Sequence, residues 1–306
     1  MEFNEGNLAI LYTGLQAKFE EAVREAEVPD AMRLVTTVPS TTYEEQYPTA
    51  GLFGDLEELL DELAMTNLWQ MVQSVPNVVW ARGLAIKRVH MEDNRLGLYN
   101  ISIQRLGRVA ATHAARRIPR LLIQGFVTNW IDAVPLWSNN HSLLGGAWTF
   151  DNLDHLPLTA ANFETVVRNL ETRRDPDGKE MGLTATVLVV GKPNKATAQR
   201  ILKRQFIGGG NSNEHYEECD LMVLPNLGES WFVVDDSDVK PFVLQERNPA
   251  ELESQTTAAS EAPFMREEFI YKARRRYGMQ GIAPWVVQAV DWGATDAPTT
   301  TTTARA

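Results

Sequence analysis

The stretch Pro263–Gly278, PFMREEFIYKARRRYG, alternates between apolar and charged residues from Phe264 to Tyr277. Such alternation is typical of a β-strand with one buried face, because successive side chains of a strand point to opposite sides. Fourteen residues at about 3.3 Å each would span about 46 Å, whereas a usual strand has five or six residues. The stretch therefore predicts an unusually long strand, which suits an elongated subunit that tiles a surface. The apolar positions are Met265, Phe269, Tyr271, Ala273 and Tyr277, and the charged ones are Arg266, Glu268, Lys272, Arg274 and Arg276.

A second long element is predicted upstream, where apolar residues recur every three or four positions from Leu96. If this helix continued to Asn129, its length would be about 51 Å at 1.5 Å per residue, so we expect it to pack along the long strand. Pro119 lacks a backbone N–H and should bend or interrupt it. His113 is expected to be packed or hydrogen-bonded rather than a catalytic base. One face carries Leu96, Tyr99, Ile103, Leu106, Ala110, Ala114, Ile118 and Leu121, and another carries Arg105, Arg108, Thr112, Arg116 and Arg120.

Length and composition are those of a soluble globular protein. With 306 residues, of which 44% are hydrophobic, the chain can bury a sizeable core and is predicted to form two lobes. No apolar run approaches the roughly 20 residues needed to cross a bilayer, and no basic segment precedes an apolar stretch at the N-terminus, so we expect neither export nor membrane residence. Cys219 is the single cysteine, which excludes an internal disulfide and fits a reducing cytoplasm.

The net charge of −11 is concentrated near the N-terminus. Residues 1–65 contain fourteen acidic and three basic residues, whereas residues 82–120 contain nine basic and two acidic ones. Arginine clusters bind phosphate backbones, but the overall acidity and the lack of interleaved aromatic residues argue against a nucleic-acid groove. A solvated helix face is a second interpretation. We favour a third, in which the basic face of one copy meets the acidic N-terminal segment of another.

The rest of the sequence predicts a projecting hairpin and a mixed lobe. Two extended arms joined by an acidic segment indicate the hairpin. Thr159 is a predicted N-cap. The succession of helices and strands that follows it indicates an α+β lobe. The threonine-rich tail from Ala294 is predicted to be disordered. Helices are predicted at 6–27, 55–63, 159–172 and 196–205, extended segments at 33–48 and 76–90, and strands at 185–190, in LMVLP (221–225) and in SWFVVDD (230–236).

Four blocks of this sequence resemble successive blocks of a known family. They are NRLGLYNISIQRLGRVAATHAARR (94–117), PLWSNNH (135–141), SWFVVDDSDVKPFVLQER (230–247) and PFMREEFIYKARRRYG (263–278). In order and spacing they are similar to the Mu-type bacteriophage major head subunit, gpT. The resemblance covers nearly the whole chain up to Trp285 and is weakest between residues 44 and 75.

The resemblance implies an α+β chain with the Hong Kong 97 phage capsid fold. That fold has an N-terminal arm, an extended loop, a peripheral domain with a spine helix and a long β-strand, and an axial domain. The corresponding segments here would be the arm at 1–32, the extended loop at 33–90, the peripheral domain at 91–150 and 262–290, the axial domain at 151–261, and a disordered tail at 291–306.

The implied function is that of a major capsid protein of a tailed bacteriophage. Hexamers and pentamers of one chain would close an icosahedral shell around double-stranded DNA, with no enzymatic activity and no cofactor. The implied partners are further copies of the chain, a separate scaffolding protein, a maturation protease, a portal protein and DNA packaged without sequence-specific binding, but no membrane. The chain would lie in the virion capsid after assembly in the host cytoplasm.

Within such a shell we expect electrostatic contacts between copies. The projecting hairpin of one subunit would lie over its neighbour, so acidic side chains of the hairpin would face basic side chains of the long helix. Such contacts steer docking more than they add affinity. The predicted contacts pair Glu57, Glu58, Asp61 and Glu62 with Arg105, Arg108 and Arg116 of an adjacent copy.

Metal and nucleotide sites are poorly supported by the sequence. The acidic cluster 235–238 lacks the glycine and glutamate of a calcium loop, and residues 215–219 lack a second cysteine or histidine pair for zinc. The glycines at 208–210 lack the lysine of a phosphate-binding loop. We expect a strand-ending turn, a solvated loop and a flexible loop, respectively. Two other functions stay open: the shell of an encapsulin-type nanocompartment, and a soluble hydrolase using Asp235 and His215.

Overall fold

The computed structural model describes residues 5–48, 72–92, 96–206, 210–255 and 265–293. Its helices are α1 Glu5–Arg24, α2 Arg88–Glu92, α3 Leu96–Gln124, α4 Ala160–Glu171 and α5 Lys195–Leu202. Its strands are β1 Val35–Pro39, β2 Glu44–Pro48, β3 Val72–Pro76, β4 Val78–Lys87, β5 His141–Leu143, β6 Trp148–Phe150, β7 Leu153–Asp154, β8 Val187–Gly191, β9 Asp220–Leu224, β10 Trp231–Val234, β11 Phe242–Gln255, β12 Glu268–Gly281 and β13 Val287–Val290. The chain is therefore a mixture of helices and sheets, as predicted.

The long strand is present, but it lies four residues further along than predicted. β12 has fourteen residues and is the second central strand of a sheet ordered β1-β11-β12-β4, called the long sheet below. The predicted start of the strand at residue 264 was wrong, because Met265 and Arg266 form a helical turn and Glu267 has a left-handed backbone (φ 53°). Met265 is consequently 70% exposed. The alternation itself is confirmed, since Phe269, Tyr271, Ala273 and Tyr277 are all buried.

The C-terminal part of β12 is a strand because it pairs with β11, and not because its own sequence has a strand pattern. Residues 278–281 contain two glycines, which are depleted in strands, yet they pair antiparallel with residues 242–245 of β11. Gly278 is required there, because a Cβ at this position would lie 2.6 Å from the Pro76 carbonyl oxygen. Tertiary contacts therefore extend the strand beyond the segment that its sequence pattern marks.

Helix α3 packs along the long sheet, which confirms the central structural prediction. Ile103 and Leu106 share one buried cluster with Phe269, Tyr271 and Ala273 of β12. The apolar face was predicted correctly at most positions, and the helix continues through Pro119 without ending.

The helix ends at Gln124, not near Asn129. Trp137 packs against Gly125, where a Cβ would come within 2.2 Å of the indole nitrogen. The same indole Nε1 donates a hydrogen bond of 2.7 Å to the Leu122 carbonyl oxygen, which the end of the helix leaves without an intrahelical partner. A tertiary contact thus caps the helix.

The second sheet is buried on both faces. Its order is β7-β13-β10-β8-β9, and β8 confirms the strand predicted at 185–190. Leu188 and Val190 face α4 and α5, whereas Val187 and Val189 face a tryptophan-rich core shared with the long sheet. Helix α4 begins where predicted, because the Thr159 side chain accepts a hydrogen bond from the Asn162 backbone N–H. Helix α5 is shorter than predicted, ending at Leu202.

The N-terminal part differs in detail from its prediction. Helix α1 ends at Arg24 rather than at residue 27, and a 3-10 helix, Asp30–Leu34, precedes β1. β2 and β3 pair antiparallel and form the base of the predicted hairpin. The extended segment predicted to reach His90 ends at Lys87, where α2 begins. The acidic helix predicted at 55–63, the glycines at 208 and 209 and the tail from Ala294 lie outside the described residues.

Candidate assembly surface

The contact between α3 and the long sheet is polar at its centre. The His113 Nδ1 atom lies 2.8 Å from the Tyr277 hydroxyl, and the Arg275 guanidinium bonds the backbone carbonyls of Ala110 and Ala111 as well as the Glu246 carboxylate. Burial, together with the charges of neighbouring arginines, lowers the pKa of His113. The ring is therefore neutral at neutral pH. This confirms that His113 is a packed, hydrogen-bonded histidine.

Aromatic contacts join the edge strand β4 to α3 and β12 at the same place. The Arg117 guanidinium lies 4.3 Å from the centre of the Trp80 ring, and Trp80 stacks on Tyr277 with ring centres 5.8 Å apart. Cation–π contacts of this kind are individually worth roughly 1 kcal/mol. Because α3, β4 and β12 each supply one partner, the three elements are held as one rigid unit.

Helix α1 crosses α3 at a glycine. A Cβ at Gly107 would lie 2.7 Å from the Phe19 carbonyl oxygen and 3.1 Å from the Ala22 Cβ atom, so only glycine permits this approach. Leu15 and Phe19 are fully buried in the resulting contact. The N-terminal helix is thereby fixed on α3.

Replacing Gly107 by alanine is expected to destabilise the protein by about 1–3 kcal/mol, because the new methyl group must push α1 away from α3. Hydrogen exchange of the α1 amides should accelerate. Gly14→Ala is the matched control: Gly14 lies in α1, a Cβ there would meet nothing within 4 Å, and the substitution should stabilise the helix by about 0.5–1 kcal/mol. Equal exchange rates in parent and Gly107→Ala would show that the helices are not in close contact.

Arg33 joins the N-terminal segment to the five-stranded sheet. Its Nη1 atom lies 2.8 Å from the Asp220 carboxylate and its Nε atom 3.0 Å from the Asp236 carboxylate. Burial alone would raise the pKa of Asp236, but hydrogen bonds from Thr186 and Arg33 outweigh it, so the pKa is lowered. The Asp236 carboxylate is thus ionised. Through its two ion pairs Arg33, which precedes β1, is joined to β9 at Asp220 and to the end of β10 at Asp236.

The arginine face of α3 is presented to solvent, as its period predicts. Arg105, Arg108 and Arg116 are exposed, and within the described part of the chain their guanidinium groups make no hydrogen bond or ion pair. Their predicted partners, Glu57, Glu58, Asp61 and Glu62, lie outside the described residues. The contact between the two sets therefore stays a prediction.

The residues considered for catalysis or metal binding are engaged in local structure. Asp235 accepts hydrogen bonds from the backbone N–H groups of Thr184 and Ser237, and it lies in a turn, as predicted. The His215 Nδ1 atom lies 2.7 Å from the Glu218 carboxylate. His215 is more buried than the predicted solvated loop suggests, because its ring packs edge-on against Phe163. Burial raises the pKa of the Cys219 thiol to about 12. Among the described residues no group of three or more His, Cys, Asp or Glu side chains could hold a metal ion.

Two buried polar clusters were not predicted from sequence. His141 bonds the Asp132 carboxylate within the tryptophan-rich core, and Arg173 bonds the edge of β13. Their partners lie far apart in the sequence or in turns, and no periodic pattern marks them. No helix in the described part of the chain combines the length and the apolar character that crossing a membrane requires.

The mixed helix and sheet fold is similar to that of chains in known capsids and capsid-like particles. It is similar to a chain in the procapsid of bacteriophage JBD30, with a TM-score of 0.59, 19% sequence identity and coverage of 97% of this chain and 78% of that chain. It is also similar to a virus-like particle from Pyrococcus furiosus, with a TM-score of 0.51, 10% identity and coverage of 92% and 99%. At these identities the likeness concerns the fold alone.

The sequence narrows this class to one family. Residues 8–154, 145–227 and 224–290 match the family described as Mu-like prophage major head subunit gpT, and the chain belongs to that family. The Mu-like prophage FluMu major head subunit of Haemophilus influenzae is 28% identical over 131 residues. That alignment covers 43% of this chain and 42% of the relative, so it spans less than half of the relative's length. The resemblance found in the four sequence blocks is confirmed.

Proposed function

We propose that this chain is the major capsid protein of a tailed bacteriophage and that its hexamers and pentamers close an icosahedral shell around double-stranded DNA. Membership of the major head subunit family is the observation that carries the proposal. The rigid unit of α3, β4 and β12 supports it, because an elongated, stiff subunit can make contacts with several neighbours at once. Each contact can then be weak, since simultaneous engagement multiplies their effect.

The domain assignment belongs to this proposal. The arm would comprise residues 1–32, the extended loop 33–90, the peripheral domain 91–150 with 262–290, and the axial domain 151–261. The β2–β3 pair supports an extended loop, and the two sheets support two lobes. The tryptophan-rich core they share makes these lobes one packed body rather than two separate ones.

The proposed partners follow from the same role. A separate scaffolding protein and maturation protease, a portal protein and packaged DNA would act with the chain, which would itself catalyse nothing. Assembly would take place in the host cytoplasm and end in the virion capsid. DNA would be enclosed without sequence-specific contacts, and the acidic total charge would keep the genome from binding tightly to the shell wall.

Contacts between Glu57, Glu58, Asp61 and Glu62 of one copy and the arginine face of another would steer docking. Raising the salt concentration to about 1 M, where the Debye length is near 3 Å, should then slow assembly. Light scattering would follow the rate after subunits and scaffold are mixed. Equal assembly rates at low and high salt would show that these electrostatic contacts do not steer docking.

The proposal is tested by producing the chain alone and together with its scaffolding protein, followed by sedimentation and electron microscopy. Shells that form only with the scaffold are expected. Spontaneous, cargo-filled shells would instead indicate a nanocompartment. A monomer that hydrolyses a substrate would overturn the proposal.

A further inference from the structure

A pocket of about 220 Å³ opens between helix α3 and strand β4, which is an edge of the long sheet. It is called the edge pocket below. Its lining includes the buried apolar side chains of Leu106 and Ala273, whereas every ionisable side chain that the described residues contribute to it is basic. A water molecule occupies about 30 Å³ in the liquid, so the pocket has room for a small ion and several waters. The basic lining residues are Arg82 of β4, His113 of α3, and Arg274 and Arg275 of β12.

The positive charge at the edge pocket exceeds the negative charge. Arg274 and Arg275 are each paired with a glutamate of β11 at 2.8 Å. Arg82 is exposed, and Arg117 lies over the ring of Trp80, which lines the pocket. Neither of these two guanidinium groups makes an ion pair with a carboxylate in the described ranges of the chain. Two cations are therefore uncompensated around one recess, an arrangement that a bound anion would stabilise.

His113 lies in the field of these cations. Burial lowers the pKa of His113, and the charges of Arg117, Arg275 and Arg116 lower it further. The carboxylate nearest to this cluster belongs to Glu246, which is already paired with Arg275. The charged and titratable groups that surround the ring are Arg116 and Arg117 of α3, Arg82 of β4, Arg275 and Tyr277 of β12, and Glu246 of β11.

The hydrogen bonds of this cluster leave two donors for a ligand. Burial raises the pKa of Tyr277, against the charge and the hydrogen bond of Arg117, so the hydroxyl keeps its proton. Arginine can only donate, and the acceptor that the described residues offer to the hydroxyl hydrogen is His113 Nδ1, at 2.8 Å. The proton of the neutral ring is then on Nε2. The Nε2–H group and the guanidinium of Arg82 are thus the donors that can meet an oxyanion.

We propose that the edge pocket binds a free tetrahedral oxyanion, of the class of inorganic phosphate or sulfate, held by Arg82 and by the Nε2–H group of His113. The guanidinium fork matches the geometry of such an ion, and hydrogen bonds between charged partners are the strong ones. The bound ion would join β4 to α3 and favour protonation of His113, because a nearby negative charge stabilises the imidazolium. This inference goes beyond the proposed shell function and does not depend on it.

A titration of the unassembled full chain with sodium sulfate tests the site. Sulfate keeps both charges between pH 5 and 8, and sodium chloride of equal ionic strength is the reference. With ¹⁵N-labelled histidine, the His113 ring signals should shift saturably, half-way at about 1–10 mM sulfate, and the pKa of His113 should rise. The other four histidines are internal controls. No saturable shift up to about 100 mM sulfate, or an equal shift in chloride, would overturn the proposal.

Two arginine variants separate the pocket from the total charge. Arg82→Gln is expected to weaken sulfate binding about tenfold in isothermal titration calorimetry, because a charge-assisted hydrogen bond is lost. Arg120→Gln removes the same charge from an exposed position of α3 outside the pocket, and it should weaken binding less than about twofold. Equal weakening by the two variants would show that sulfate responds to the overall charge of the chain, which would overturn the site.

The pH dependence of binding tests the part of His113. Sulfate should bind severalfold more tightly at pH 5 than at pH 8, since protonation of His113 adds a positive charge to the pocket. His113→Gln should abolish this difference, and a pH dependence equal to that of the parent chain would contradict the assignment of His113 as a ligand. The Arg82→Gln comparison decides the proposal even if His113→Gln fails to fold.

The source of the oxyanion is decided by competition. Inorganic phosphate should displace sulfate, whereas short duplex DNA at the same concentration of phosphate groups should not, because each of its phosphates is a diester with a single charge. Displacement by DNA as effective as that by inorganic phosphate would overturn the assignment to a free oxyanion. All of these measurements use the unassembled chain, so a failure to bind sulfate would leave the shell function intact, and a failure to form shells would leave the edge pocket intact.

Discussion

Arg173→Ala is expected to lower the free energy of unfolding by about 3–5 kcal/mol. Arg173 is buried just after α4, and its guanidinium donates to the carbonyl oxygens of Asp151, Trp285 and Val287 and to the Gln288 side chain. Burial lowers the pKa of Arg173 to about 9, against the opposing charges of Asp151 and Asp154. Removing it leaves several buried acceptors unpaired at the edge of β13.

The neighbouring residue provides the control for this experiment. Arg174 is exposed and donates a hydrogen bond of 2.9 Å to the Gly178 carbonyl oxygen. Arg174→Ala should therefore change stability by less than about 0.5 kcal/mol. Chemical denaturation followed by tryptophan fluorescence measures both variants. Similar losses in the two would mean that the buried cation does not hold β13 in place.

Asp132→Ala should destabilise the protein by about 3–5 kcal/mol, because it breaks a buried pair and leaves its partner without an acceptor. The His141 Nδ1 atom lies 2.7 Å from the Asp132 carboxylate, and its Nε2 atom lies 3.2 Å from the Leu136 carbonyl oxygen. The ring also stacks on Phe150 at 4.4 Å. Both side chains are almost fully buried, at 0% and 3% exposure.

A second histidine–carboxylate pair of the same length serves as the control. His215 and Glu218 are also 2.7 Å apart, but their side chains are 14% and 33% exposed. Water can replace the lost acceptor there, so Glu218→Ala should cost less than about 1 kcal/mol. Thermal denaturation of both variants would decide whether burial sets the energy of these pairs. Equal losses would contradict that explanation.

The sequence was most informative where one periodic pattern coincides with one buried face. The alternation around Tyr271 marks a strand with its apolar side on α1 and α3, and the helical period from Ile103 marks the opposite surface of that contact. Their side-by-side packing could be inferred because the two lengths match. The boundaries could not, since Trp137 ends α3 and pairing with β11 extends β12 past Tyr277.

The candidate surface was only partly predictable, for a physical reason. The exposed positions of Arg108 and Arg116 follow from the helical period, which a single sequence contains. These two arginines line a groove together with residues of β9, which lie more than 100 positions away in the sequence. Such long-range juxtaposition has no local sequence signal. Similarly, nothing in the sequence near Asp132 marks it as the partner of a buried histidine.

The most direct test of the account is a cryo-electron microscopy reconstruction of the particles formed when this chain is produced with its scaffolding protein. We predict closed icosahedral shells in which every subunit has residues 96–124 lying along residues 268–281, with subunits arranged in sixfold and fivefold clusters. A chain that stays monomeric at all concentrations and scaffold ratios would contradict the account, as would shells in which these two segments lie in separate bodies.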